Sequence, residues 1–266
     1  PALNMMSRNP YWSNLASEIN KAGDNFVFDS PPTFSKEWLV TNKKKIQILH
    51  IHYWQPFYAM RKRKTKLSRV LRFASSILYA RKLGYRVIFT LHNLTPTYWL
   101  SPKWLDWLGH FFAIRLSERV IVHCHAAKLL MKKKYGRQKR VFITEHPSFQ
   151  NVYPNAISKD VAKRRLALPE ESFVFTFFGE IRPNKGIETL ISAFKLLEEK
   201  NYRLMIVGRI DKPLSYIKHL IMLINGDDRI IQNFNRIPDN EVQLYIRLYD
   251  TKILLILMLL TSGTVN

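Results

Sequence analysis

The chain has 266 residues, 47% hydrophobic and 23% charged, which suits two α/β domains with real cores and argues against a disordered chain. Its single cysteine, Cys124, excludes an internal disulfide and a multi-cysteine zinc site. The formal charge of +22 is uneven, because the first 158 residues hold 26 of the 42 Lys/Arg but only 7 of the 20 Asp/Glu. That half points to an anionic partner surface, nucleic acid or an acidic membrane leaflet, with a merely soluble basic surface as the competing reading.

The chain opens without a start methionine, as a fragment would. Asn9-Pro10-Tyr11 leads into a helical stretch over Trp12–Ala22 that Gly23 closes. Phe26–Phe28 is a short strand candidate, Ser30-Pro31-Pro32 a loop, and Lys43–Lys45 a solvated charge run. Ile46–His52 alternates and is β-rich, so it is read as a strand carrying His50 and His52. A His-x-His pair invites a metal, but no third ligand accompanies it, and no metal is expected.

The basic block Arg61, Lys62, Arg63, Lys64 and Lys66 precedes a helix over Leu67–Leu83. Val70, Leu71, Ala74, Ile77 and Leu78 give that helix one apolar face, while the block is a candidate for contact with anionic headgroups. Tyr85–Thr90 is a buried strand running into His92, just past the edge where α/β sheets place their ligands. A structural loop histidine is the competing reading there. A helix over Leu105–Leu116, a strand over Arg119–Cys124, a helix over Ala126–Tyr135 ended by Gly136 and a strand over Val141–Thr144 complete the half. The rhythm is that of a doubly wound parallel sheet. Pro147–Asn155 reads as a linker, which puts the domains at 1–152 and 153–266.

A short helix over Asp160–Leu168 leads to Phe173–Phe178, an aromatic and β-branched run that reads as a fully buried strand. Gly179 breaks it, and Arg182 and Lys185 follow before Gly186 and a helix expected over Ile187–Lys200. Two cations between a buried strand and a helix N-terminus make a natural phosphate site. Tyr202–Val207 is another strand, ending at Gly208-Arg209. A helix over Leu214–Ile224, a strand over Arg229–Asn233, a turn at Ile237–Asn240, a helix over Glu241–Tyr249 and a strand over Ile253–Leu259 follow. The last leads into Ser262, Gly263 and Thr264, a sequence expected just before a helix whose amides face an anion. The longest apolar run, Ile253–Leu260, is far short of the roughly 20 residues a membrane-spanning helix needs.

Asn9-Pro10-Tyr11, His50-Ile51-His52, Thr90–Pro96, Gly179–Gly186 and Leu260–Thr264, in that order, resemble the group 1 glycosyltransferases of the GT-B type, close to bacterial exopolysaccharide sugar transferases. The resemblance runs over essentially the whole chain. It implies two facing Rossmann-like domains with parallel sheets, the acceptor site in the first and a nucleotide-sugar donor site in the second. It implies transfer of a hexose, with GDP-mannose a candidate donor, to a lipid-linked or polysaccharide acceptor. By position, Gly179, Arg182, Lys185, Ser262, Gly263 and Thr264 would bind the donor diphosphate. His92 would be the active-site histidine, and Gly208, Arg209, Ile237 and Glu241 would hold the nucleotide. The cations would do the work of a metal, so no cofactor is expected. The implied setting is the cytoplasmic face of a membrane, consistent with the one cysteine and the lack of a secretory signal. The family's Glu-x7-Glu element would fall beyond Asn266, so the second domain is expected to be incomplete. Two other readings stay open: a non-catalytic nucleotide-binding remnant, and a basic nucleic-acid-binding protein, against which stands the lack of any recognisable nucleic-acid module.

Overall fold

A computed structural model describes residues 10–23, 35–54, 57, 66–94, 102–145, 153–210, 214–248 and 250–252. The expectations for Phe26–Phe28, Arg61–Lys64, Ile253–Leu259 and Ser262–Thr264 fall outside them. The chain divides into two compact units, one up to Pro147 and one from Ser148.

The first unit holds α1 (Pro10–Lys21), α2 (Lys36–Asn42), β1 (Ile48–Ile51), α3 (Leu67–Lys82), β2 (Arg86–Leu91), α4 (Lys103–Leu116), β3 (Arg119–Val122), α5 (His125–Tyr135) and β4 (Val141–Ile143). Its strands pair in parallel in the order β1-β2-β3-β4. With right-handed crossovers, sequential order puts α3, α4 and α5 on one face. There Val70, Phe73 and Ile77 of α3, Ala113 and Ile114 of α4 and Met131 of α5 are buried in one core with Val87, Phe89, Val120 and Val122. Among the described residues these four strands follow one another in sequential order, with α3, α4 and α5 packed in one core.

The second unit holds α6 (Lys159–Arg165), β5 (Phe173–Phe178), a 3-10 turn (Pro183–Lys185), α7 (Ile187–Lys195), β6 (Tyr202–Val207), α8 (Leu214–Ile224), β7 (Ile230–Asn233), α9 (Val242–Leu248) and β8 (Thr251–Lys252). All pairings are parallel, in the order β7-β6-β5-β8. Successive residues of β6 serve opposite faces: Leu204 and Ile206 join the core under α7 and α8, while Met205 and Val207 join that under α9. Burial on both faces explains why β5 and β6 read as continuous apolar runs. Strand order reverses between β5 and β8, so the topological switch point lies at the carboxyl end of β5.

Three local departures have physical reasons. Helix α1 starts at Pro10, two residues earlier than expected, because proline costs nothing where the first helical N–H lacks a partner. Helix α2 is unexpected: Ser35 caps it by accepting from the Trp38 N–H at 3.2 Å, but seven residues burying Leu39 give too short a periodic signal. Helix α7 stops at Lys195 rather than Lys200, and Leu196 beyond it is 81% exposed, so no core draws the helix onward.

Candidate functional site

In the second unit, pairing outlasts the named strands. The Gly179 N–H donates to Val207 O at 3.0 Å, and Ile181 forms a parallel bridge with Ile210, its N–H donating to Arg209 O at 3.0 Å. The loops after β5 and β6 are thus held side by side at the switch point. Gly208 sits at φ +147°, and a Cβ there would lie 1.7 Å from Gly179 O, so the two backbones approach as closely as only glycine permits. Gly208→Ala should cost about 3 kcal/mol or more, read as a lowered urea midpoint; an unchanged midpoint would refute this close approach.

Arg182 is extended and opens the 3-10 turn, Pro183 takes the first turn position, and Lys185 ends it. Gly186, left-handed at φ +65°, turns the chain into α7. The Arg182 side chain is only 14% exposed, and its backbone carbonyl accepts from the Tyr216 hydroxyl at 3.3 Å. Burial pulls the Lys185 ammonium below its ordinary range, with the Arg182 charge adding to the effect. Burial likewise lowers Arg182, against the opposing pull of Glu180.

Glu180 is the residue that sequence reasoning missed. Its carboxylate accepts from Arg182 Nη2 through one oxygen and from Arg209 Nη2 through the other, at 2.9 Å. Arg182, Lys185 and Arg209 therefore gather at one loop pair, with a single carboxylate between two of them. Such a group suits an anion, since fixed cations beside a helix start stabilise negative charge without a metal. Of the other expected donor residues, Ile237 is 7% exposed within the core beneath α9, while Glu241 is an exposed residue just ahead of that helix.

In the first unit, His52, His92 and His123 each stand one residue beyond β1, β2 and β3. All three are buried, and His52 Nδ1 lies 3.0 Å from His92 Nε2, so one ring donates and the other accepts. His50 Nε2 meets Thr90 Oγ1 at 2.7 Å, and the His123 Nδ1–H donates to Thr144 O at 2.9 Å. Tyr53, 45% exposed, stacks on His92 at 5.0 Å, and Trp12 and Tyr11 contact the His52 and His92 rings edge-on. Burial drives the pKa of His50 down to about 4. Burial drives His52 lower still, helped by His50, His92 and His123. Neutral imidazoles under an open aromatic ring can both donate to and accept from hydroxyl groups, which suits a polyhydroxylated ligand. The signal was legible as strand after strand ending in histidine, although only His92 was singled out as a site residue. Among the described residues, no group of three or more His, Cys, Asp or Glu side chains is placed to hold a metal ion. Of the basic block, Lys66 is described, exposed at the start of α3.

Residues 158–256 match the family model "Glycosyl transferases group 1". Comparison with curated proteins gives no match. Among solved structures the chain is similar to HepE from Anabaena, in complex with UDP and glucose: TM-score 0.59, 16% identity, 91% of this chain and 62% of that one. A glycosyltransferase from Rickettsia africae gives 0.57, 14%, 90% and 62%. Sucrose-phosphate synthase from Thermosynechococcus elongatus gives 0.59, 17%, 82% and 53%. The chain thus spans between half and two thirds of the length of these structures. Its fold is that of the GT-B glycosyltransferases, and its second unit matches the group 1 glycosyl transferase family.

Proposed function

We propose that this chain is part of a glycosyltransferase whose second unit binds a nucleoside-diphosphate sugar and whose first unit presents the acceptor side. The observation that carries this reading is the placement of Arg182, Lys185 and Arg209 at the carboxyl edge of β5 and β6, beside the switch point. There the cations would bind the diphosphate and offset the charge that develops on the leaving nucleoside diphosphate. Gly179, with open space where a side chain would stand, would give the ligand close access to backbone, and Ser262, Gly263 and Thr264 would complete the phosphate contacts. The HepE structure with UDP and glucose supports a nucleotide sugar as the ligand class. A hexose is the proposed group transferred, with UDP-glucose and GDP-mannose as candidate donors. His92, fixed against His52, is the proposed catalytic residue, acting on the transferred sugar. A thermal-shift panel of UDP, GDP and ADP sugars tests the reading. One base series should raise the melting temperature with increasing concentration, and no shift with any of them would sink it.

The acceptor is proposed to be lipid-linked or polysaccharide, in envelope or exopolysaccharide synthesis, reached from the cytoplasmic side. No described helix is long and apolar enough to cross a membrane. Surface attachment would instead use the basic first half, with Arg61–Lys64 and Lys66 against anionic headgroups. Neutralising those five charges should weaken sedimentation with phosphatidylserine vesicles by tenfold or more, at about 1 kcal/mol per charge near the surface. Undiminished sedimentation would remove the block from the account.

A further inference from the structure

The donor-side cations already have an anion, and it belongs to the chain. Glu180 follows Gly179 directly and points its two oxygens at two different arginines, one from each of the loops that the Ile181–Ile210 bridge holds together. The Arg182 backbone is anchored as well, since its carbonyl accepts from the Tyr216 hydroxyl on α8. Lys185 lies close enough for its charge to respond to both Arg182 and Glu180. Glu180 itself is 37% exposed and Arg209 59%, so this carboxylate borders solvent, whereas Arg182 is largely buried. A buried guanidinium without a counter-charge would be costly, which gives the carboxylate a reason to be there when no ligand is.

We propose that Glu180 is a built-in competitor at the donor site: it clasps Arg182 and Arg209 until a diphosphate takes those guanidiniums and displaces it. This rests on the donor-diphosphate reading above. The physical consequence is an exchange of anions instead of simple addition. A ligand must replace both of the carboxylate's ion pairs, so the site discriminates against anions that engage only one arginine, and its affinity is held below what three cations would otherwise give. The same exchange works in reverse, because the returning carboxylate helps to release a spent nucleoside diphosphate.

The test is calorimetric titration of the whole chain with inorganic pyrophosphate and with UDP, GDP and ADP. Glu180→Gln and Glu180→Ala should each tighten pyrophosphate binding by about tenfold, the scale of one half-buried and one exposed ion pair removed from the competition. Glu180→Asp separates the clasp from mere charge. It keeps the carboxylate but is one methylene shorter, so it cannot span both arginines and should also tighten binding, by a smaller factor. Equal or weaker binding by the glutamine and alanine variants would overturn the proposal. Tightening in those two with wild-type affinity in Glu180→Asp would reduce the effect to charge alone and overturn the clasp. Arg182→Ala, run alongside, keeps the two readings apart. Weakened binding there with no tightening in the Glu180 variants leaves the donor site standing and removes Glu180 from it. Unchanged binding in Arg182→Ala removes both.

Discussion

Replacing Arg182 with alanine is expected to weaken nucleoside-diphosphate binding by tenfold to about a hundredfold, with the fold intact. The estimate comes from the roughly 1.5–3 kcal/mol carried by hydrogen bonds to charged groups. It belongs toward the upper end because Arg182 is mostly withdrawn from solvent, where screening is weak. Arg182→Lys should recover little, because an ammonium cannot reproduce the two-pronged geometry of a guanidinium. Lys185→Ala should lose less, since a point charge on a flexible stem makes fewer fixed bonds. Calorimetry with the best nucleotide of the panel measures all three. Equal affinity for wild type and Arg182→Ala would show that the loop after β5 is not the phosphate site.

Acid should unfold the first unit before the second. His50 has its pKa pushed down to about 4 and His52 lower, both chiefly by burial. His110, buried and hydrogen-bonded to the Asp106 carbonyl, is also pushed down to about 4, mainly by burial. In the unfolded chain each imidazole takes up its proton near pH 6.5. Between that value and the folded pKa the unfolded state binds more protons, so the stabilisation is complete above about pH 6.5 and is lost as pH falls toward 4. For His50 alone the loss is on the order of 3 kcal/mol by pH 4, at about 1.4 kcal/mol per pH unit. In the second unit Asp227 is held low by its hydrogen bond from Arg229, so its contribution is lost only below the ordinary carboxylate range. Urea midpoints followed by aromatic fluorescence should therefore fall steeply between pH 6.5 and 4.5. His50→Asn should flatten that fall, and a pH-independent midpoint across the window would contradict the buried, neutral histidine cluster.

How much of this was legible depended on the range of the interaction. Phe173–Phe178, Tyr202–Val207 and Leu214–Ile224 are found with their expected bounds, because burial on two faces and a clean helical period are local signals. The short capped helix Lys36–Asn42 and the early end of the helix after Gly186 were not legible, since one buried residue or one exposed leucine decides each. At the site, Arg182 and Lys185 could be placed at a strand-to-helix loop from their neighbours alone. Glu180 could not be given its role, because its second partner, Arg209, is 29 residues away and arrives only through the β5–β6 pairing. The His52–His92 contact likewise needs the parallel register that sets His50 opposite Ile88.

The proposed nucleotide sugar would sit on the loops after β5 and β6. Amide hydrogen exchange with and without the stabilising nucleotide sugar tests this placement most directly. Ligand should slow exchange at Gly179–Gly186 and at Gly208–Ile210, with Arg182→Ala abolishing the effect at the same ligand concentration. Unchanged exchange in both segments, with protection appearing elsewhere in the chain, would contradict the account.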